Sequence, residues 1–129
     1  MGEENGVAEA KAPVTWAKRT DVKAFSPAPG VYIQPIVGEA MMTCWIALDP
    51  GASVVEHSHR NEQSGVVVEG AFTLTVEGEA REVNVGEGYV ITPHARHSGT
   101  AGPDGVLIVE TFVPAREDYV RAWRAAMGE

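Results

Sequence analysis

The sequence predicts an all-β fold, a small jelly-roll barrel with a short C-terminal helix packed outside it. Three observations support this prediction: the apolar segments are short, turn residues separate most of them, and one segment alternates with the period of a strand. Eight prolines and fourteen glycines lie between these segments, which fits an all-β chain better than a helical bundle. Many short antiparallel strands in a small domain favour a closed barrel or a double-sheet jelly roll, because both avoid long exposed edges.

The first part of the chain offers little to bury. Residues 1–13 are polar and without period, and we predict a flexible tail there, followed by one domain over residues 14–129. Val14 and Trp16 are the first side chains expected to be buried. Segment 25–30 is rich in proline and is predicted to be a loop.

The strand signals then follow in quick succession. Thr73 and Thr75 alternate with Phe72 and Leu74, which is the period-2 pattern of a strand with one apolar face. Turn residues such as those at 49–51 separate most of the segments. We predict strands over residues 31–37, 41–48, 53–57, 65–69, 71–77, 81–85, 89–91 and 105–113.

The last segment has the pattern of a helix. Glu117 and Asp118 suit the first turn of a helix, where negative charge is favourable. They precede an apolar series at helical spacing, formed by Tyr119, Val120, Trp123, Ala126 and Met127. We therefore predict a short helix whose apolar stripe packs on the barrel.

Composition limits the classes of partner. The formal net charge of −8 over 129 residues argues against nucleic acid and anionic membranes, which reward clustered Lys and Arg. A small molecule is the expected partner. The single cysteine, Cys44, cannot form an internal disulfide, and it lies in an apolar run that predicts a buried structural thiol. The N-terminus shows no apolar signal-peptide core, so the expected location is the cytoplasm.

The histidines predict a metal site. Side chains at i and i+2 of a strand leave the same face, so His57 and His59 can converge on one ion. Gln63 offers an amide oxygen and His97 a third imidazole, which completes a set suited to a divalent first-row metal such as Zn, Ni, Mn or Fe. The fourth histidine, His94, is expected to be exposed instead of ligating.

These residues fall into a longer pattern. The chain reads Gly51, five residues, His57-Ser58-His59, three residues, Gln63, six residues, Gly70, and later residues 86–88 through Thr92-Pro93 to His97. Over residues 30–113 this resembles the two-motif signature of the cupin superfamily. The resemblance implies two motifs on neighbouring strands of a jelly-roll barrel, with a metal in its mouth.

Gln63 stands where the commonest form of the first motif has Glu. A neutral amide leaves the metal with its full positive charge, which makes it a better Lewis acid for an anionic substrate. Many iron oxygenases instead use a facial triad that contains one carboxylate. The ligand set therefore favours Lewis-acid chemistry on an anion over oxygen activation.

Residues 110–119 resemble the tail of the KdgF-type cupins, small enzymes that linearise 4,5-unsaturated uronates released by pectin and alginate lyases. The resemblance implies three further site residues, Glu110, Phe112 and Arg116, with Glu110 where Asp is usual. Glu110 and Phe112 are two apart on a predicted strand and so face the same way. A carboxylate there could move a proton, and Arg116 could hold a substrate carboxylate with two parallel hydrogen bonds.

We therefore expect ring opening of a 4,5-unsaturated uronate, or a similar sugar acid, to a keto acid. Two alternatives stay open at this point: a metal-dependent dioxygenase, and a non-catalytic barrel that binds a small acid. A homodimer is also expected, because exposed barrel edges and the strand at 31–37 could pair across a two-fold axis.

Overall fold

The computed structural model describes residues 13–129, so all but one residue of the predicted N-terminal tail lies outside the described part. The described residues form an all-β fold with one short C-terminal helix, as predicted. The elements are a 3-10 turn at Arg19–Asp21, β1 Phe25–Ala28, β2 Val31–Val37, β3 Met42–Leu48, β4 Ser53–His57, β5 Glu62–Val76, β6 Glu79–Asn84, β7 Gly88–Ile91, β8 His97–Val113 and α1 Glu117–Ala126.

Two long strands, β5 and β8, hold the barrel together. The hydrogen-bonded order is β1-β2-β3-β8-β5-β6, while β4 pairs with β8 and β7 pairs with β5, and every pairing is antiparallel. The first part of β8 pairs with β4 and its last part pairs with β3. In the same way β5 pairs first with β7 and then with β6. Each long strand therefore runs through both layers of the jelly roll.

Glycine allows the long strands to bend. The register between β5 and β8 shifts on either side of Gly70, which pairs with Val106. Gly70 has a φ of +75° and Gly105 a φ of +77°, in the left-handed region that favours glycine. The prediction of two strands at 65–69 and 71–77 is wrong for this reason: Gly70 forms a bulge inside one continuous strand, not a turn between two.

Two further strand predictions need correction. Segment 25–30 is not a loop, because its first four residues form β1, and Phe25 is buried opposite Ile33. Pro27 is tolerated there because β1 is an edge strand, where a missing N–H breaks no ladder. In addition, β8 begins at His97, eight residues before its predicted start at 105.

The core lies between the layers. In β3 buried and half-buried residues alternate, and the buried set is Met42, Cys44, Ile46 and Leu48. Cys44 is fully buried, and burial above all raises the pKa of its thiol to about 12, with the nearby Glu110 adding to the shift. The thiol therefore stays protonated at neutral pH, as expected of a structural cysteine.

The helix packs against β1 and β2. Its predicted apolar stripe is confirmed for four of five residues. Those that pack against the core are Tyr119, Val120, Trp123 and Ala126, whereas Met127 is exposed. The Trp123 indole donates to the backbone oxygen of Lys23 at 3.2 Å. The Tyr119 ring meets that of Phe25 edge-on, with centroids 5.4 Å apart.

The segment before β1 departs from expectation. Val14 and Trp16 are not buried: Trp16 is 87% exposed and Val14 is 49% exposed. The segment is held further along by Gln34, whose amide donates to the backbone oxygens of Arg19 and Val22. Among the described residues, no helix is long and apolar enough to span a membrane. The cytoplasmic location stays a prediction from the sequence.

Gly70→Ala should destabilise the barrel more than Gly78→Ala. A Cβ on Gly70 would lie 2.0 Å from the backbone oxygen of Gly105, whereas a Cβ on Gly78 meets nothing within 4 Å. Both glycines have positive φ, so the control carries only the backbone cost of about 1–2 kcal/mol. Overpacking should bring the Gly70 variant to about 2–4 kcal/mol. Urea unfolding measures the free energy of unfolding of both variants. Equal losses of stability would contradict the close approach of Gly70 to the backbone of Gly105.

Candidate metal centre

Three imidazoles meet at one end of the barrel. His57 ends β4 and pairs directly with His97, the first residue of β8. Their ring centroids are 4.3 Å apart, and that of His59 is 5.0 Å from His97 and 5.4 Å from His57. One nitrogen of each ring lies within 4.8 Å of the others, so the three could hold a metal ion. His94 is exposed and outside this group, as expected.

The local structure differs from the prediction at His59. The expected strand-borne pair does not form, because β4 ends at His57 and His59 lies in the loop that follows. His59 still converges on the group since its Nδ1 is 3.0 Å from the backbone oxygen of Asn61. Asn61 is itself buried, and its side-chain amide donates to the backbone oxygen of Pro114 at 2.7 Å. This loop is therefore tied to the segment before α1.

The backbone sets the tautomer of each imidazole. The Nδ1 atoms of His57, His59 and His97 lie 2.9, 3.0 and 2.9 Å from backbone carbonyl oxygens. A carbonyl oxygen only accepts hydrogen bonds, so each Nδ1 carries the proton. Each Nε2 then presents a lone pair, which is the form in which a neutral imidazole binds metal.

Two observations show that the site fits a cation. The Nε2 atom of His97 is buried and has no hydrogen-bond partner among residues 13–129. The Nε2 atom of His59 faces the amide oxygen of Gln63 at 3.0 Å, so two acceptors point at each other. Burial above all, and then the charge of Arg116, lowers the pKa of His59 to about 4. His59 is therefore neutral at pH 7, and a bound cation would satisfy all these lone pairs.

Glu110 orients Gln63. Gln63, at the start of β5, is buried, and its Nε2 donates to Glu110 Oε2 at 2.9 Å. Because a carboxylate oxygen accepts this bond, the amide oxygen must point the other way, towards His59. The Tyr89 hydroxyl donates to the same carboxylate oxygen at 2.5 Å. Both hydrogen bonds from described residues to this carboxylate thus end on Oε2.

The carboxylate is deep inside the protein. Glu110 and Phe112 both point into the barrel, with 7% and 1% of their surface exposed. Burial raises the pKa of Glu110, against the opposing effect of hydrogen bonds from Tyr89 and Gln63 and the charge of Arg116. The question that the sequence left open, whether these side chains face inward, is answered by their burial.

Arg116 closes the site from the side of the helix. Its Nε and Nη2 donate to the two oxygens of Asp118 at 3.2 and 2.7 Å. Its guanidinium carbon lies 3.7 Å from the centroid of the Tyr119 ring and 5.5 Å from that of Phe112. The side chain is therefore fixed by an ion pair and by two aromatic faces.

One cavity brings these groups together. It has an empty volume of about 520 Å³, which includes space open to solvent. Its polar lining includes His57, Gln63, His97, Glu110 and Arg116, and its apolar lining includes Phe112, Tyr119, Val31, Ile33, Ile46 and Leu48. His59 adjoins it through its contacts with Gln63 and Phe112. The structure thus places all seven predicted site residues around one space.

Several supporting residues are not among the site residues predicted from the sequence. Tyr89 reaches Glu110 across the sheet, so no local spacing connects the two. Asn61 and Asp118 are each two residues from the site residue that they contact, His59 and Arg116. Tyr89 lies in a strand that was predicted, and its burial could have been suspected from the apolar residues around it. Asp118 was assigned to the helix terminus, which is correct, but its pairing with Arg116 was not anticipated.

The chain matches the family model of the cupin domain over residues 44–109 and belongs to the cupin family. It resembles the KdgF proteins within that family. It is 29% identical over 83 residues to the pectin degradation protein KdgF of Dickeya dadantii (strain 3937), which is 64% of this chain and 74% of that protein.

Two solved structures have the same fold and similar sequences. One is an RmlC-like cupin from Shewanella frigidimarina NCIMB 400, with 30% identity and a TM-score of 0.76, covering 81% of this chain and 94% of the other. The second is KdgF from Halomonas sp., with 27% identity and a TM-score of 0.76, covering 81% and 97%.

A divalent transition metal should raise the melting temperature of the wild type but not of His97→Ala. Binding to the folded state alone adds about 2.7 kcal/mol when the free metal is 100 times its dissociation constant. The matched control is His94→Asn, because His94 is exposed and has a φ of +70°, which Asn tolerates. Thermal denaturation with and without Zn²⁺ measures the shift. A shift of equal size in the His97 variant would exclude this centre.

Proposed function

We propose that this chain is a metal-dependent enzyme that opens the ring of a 4,5-unsaturated uronate, or a similar sugar acid, to give a keto acid. One observation carries the proposal: a buried carboxylate, Glu110, lines the same cavity as the imidazole cluster and Arg116. Similarity to proteins named KdgF, one of them a pectin degradation protein, supports this substrate class.

His57, His59, His97 and Gln63 would hold the metal, which we propose to be one divalent ion of Zn, Ni, Mn or Fe. All four ligand groups are neutral, so the ion keeps its charge. When bound, it supplies a Lewis acid that polarises a substrate oxygen. The Glu110 carboxylate, which accepts the Gln63 amide hydrogen, would then lie beside this ligand set.

Arg116 would bind the carboxylate of the substrate. Its pairing with Asp118 uses Nε and one hydrogen of Nη2, so the Nη1 end of the guanidinium is left for an anion. The Tyr119 and Phe112 rings on its face hold it in place. A sugar acid anchored there would have its ring against the aromatic and apolar wall of the cavity.

Glu110 would move the proton. Ring opening removes the proton of the hemiacetal hydroxyl, breaks the ring C–O bond and leaves an enolate at the former ring oxygen. The enolate becomes a ketone when the neighbouring carbon of the double bond takes up a proton, so the reaction is an isomerisation without net loss or gain of atoms. A carboxyl group with a raised pKa can accept the first proton and return it at the second site.

The metal-loaded wild type should speed the loss of ultraviolet absorbance of a 4,5-unsaturated uronate, and Glu110→Gln should lose most of this effect. Removal of a general acid–base group typically costs about 10²–10⁴ in rate. Glu79→Gln, an exposed change on β6, is the matched control and should keep the wild-type rate.

No acceleration over the spontaneous rate by the wild type would reject the proposal. Running the assay without oxygen distinguishes ring opening from the dioxygenase alternative, because ring opening consumes no oxygen and should continue. A carrier would bind the uronate, measured by calorimetry, without changing it.

We further propose that the chain forms a homodimer, with a small anionic molecule as its other partner. The sequence suggested that the strand at 31–37 could pair with its copy in a second chain. The structure gives this pairing limited support, because β1 already pairs with the first part of β2. The outer face of the sheet supports it better: Val66 and Val90 are 48% and 66% exposed. Their cross-strand neighbours on this face are uncharged, namely Trp45, Val109, Thr43, Thr111, Ser64 and Gly88. An uncharged face lets two acidic chains meet without repulsion.

Light scattering after size-exclusion chromatography should give the mass of two chains for the wild type and of one chain for Val66→Lys. A lysine there would place two buried charges at a two-fold interface. Val55→Lys is the control, since Val55 is 79% exposed on β4, away from this face. A monomeric wild type at micromolar concentration would contradict the dimer.

A further inference from the structure

Tyr89, Gly65 and Glu110 form one row across three strands. Gly65 of β5 pairs with Tyr89 of β7 on one side and with Glu110 of β8 on the other. Adjacent strands lie about 4.8 Å apart, so the two outer backbones are separated by roughly 10 Å. The Tyr89 side chain nevertheless reaches Glu110 Oε2, and it does so by lying over Gly65.

Gly65 leaves the space for this contact. A Cβ at this position would lie 2.3 Å from the Tyr89 hydroxyl oxygen and 2.4 Å from the ring carbon that bears it. Gly65 is not among the glycines with positive φ, so its backbone conformation does not require glycine. The absence of a side chain at Gly65 therefore allows the Tyr89 side chain to cross β5 and reach Glu110.

The Tyr89 hydroxyl acts on the metal centre through two hydrogen bonds. It donates to Glu110 Oε2, and this oxygen also receives the amide hydrogen of Gln63. With the carboxylate held by two donors from different strands, it cannot rotate away from Gln63. Gln63 in turn keeps its oxygen towards His59 at 3.0 Å. Two hydrogen bonds thus connect the Tyr89 hydroxyl, through Glu110, to Gln63, whose amide oxygen is a proposed ligand atom.

We propose that Tyr89 is a positioning residue, which uses the gap at Gly65 to hold Glu110 so that Gln63 presents its amide oxygen to the metal. Among the described residues, the hydrogen bond of the Tyr89 hydroxyl goes to Glu110 and not to a proposed metal ligand. The burial of its ring against Phe72, with centroids 5.9 Å apart, fixes the direction of the hydroxyl. The inference rests on the proposed metal centre, and its effect on turnover rests on the proposed function.

Tyr89→Phe removes the hydroxyl and keeps the ring. We expect Co²⁺ to bind up to about 10-fold more weakly, the lower end of the usual cost of losing a hydrogen bond behind a metal ligand, because Tyr89 acts through Glu110. The visible absorption bands of the bound Co²⁺ should also change, because the field of the amide ligand changes. Uronate turnover should fall through kcat more than through KM, since Arg116 is untouched.

The matched control is Tyr32→Phe. The Tyr32 hydroxyl also donates to a carboxylate, that of Asp49 at 3.3 Å, but it is exposed and outside the cavity. This variant should leave Co²⁺ affinity and spectrum unchanged. Wild-type affinity and spectrum in Tyr89→Phe would overturn the inference.

Gly65→Ala tests the gap independently. In the wild-type background it should weaken Co²⁺ binding, because the added methyl group displaces the Tyr89 ring. In a Tyr89→Ala background it should add little, because the ring is gone, so the two changes should be strongly non-additive. Additive effects would overturn the role of Gly65. Thermal unfolding identifies any variant that fails to fold, and the conservative Tyr89→Phe change then decides.

The Co²⁺ readout separates this inference from the proposed function. If the wild type does not act on the uronate but Tyr89→Phe still alters Co²⁺ binding, the positioning role stands and the proposed substrate falls. If the wild type opens the uronate ring and Tyr89→Phe matches it in both measurements, the function stands and the positioning role falls.

Discussion

The antiparallel pairing of β5 with β8 is the constraint on which the site depends. It places Gln63 opposite Phe112 and Gly65 opposite Glu110, and after the bend near Gly70 it continues to His97, opposite Val76. One strand pair therefore carries an amide, a carboxylate and an imidazole into the same end of the barrel. A shift by one residue would turn these side chains to the outer face. The register of this strand pair is thus a condition for the arrangement of the candidate site.

The candidate site combines a neutral ligand set with a buried carboxyl group, that of Glu110, beside it. Three imidazoles have their Nδ1 protons fixed by backbone carbonyls, and Gln63 has its amide fixed by Glu110. The carboxylate is kept close to the proposed ion without neutralising it, and burial raises its pKa. The proposed Lewis-acid and proton-transfer roles would in this way fall to groups that are hydrogen-bonded to each other.

Local patterns predicted most of the strands, because the alternation of a strand is a short-range property. The candidate ligands were predicted from residue type and from the resemblance to the cupin motifs. His57, Gln63 and His97 could be selected by spacing, and the two-residue interval from Glu110 to Phe112 fixed their common face. What the sequence could not show depends on tertiary contacts. β1 is a strand since β2 supplies its partner, despite Pro27. Tyr89 joins the site by reaching Glu110 across the sheet, which no spacing along the chain encodes.

The central claim is that three imidazole Nε2 atoms and the Gln63 amide oxygen surround one cation while Glu110 stays outside its ligand set. A crystal structure of the metal-loaded protein, with anomalous differences recorded at the absorption edge of the metal, tests this most directly. The account predicts one anomalous peak in contact with His57, His59 and His97 through Nε2 and with Gln63 through Oε1. A peak bound by the Glu110 carboxylate in place of Gln63, or no peak within the cluster, would contradict it.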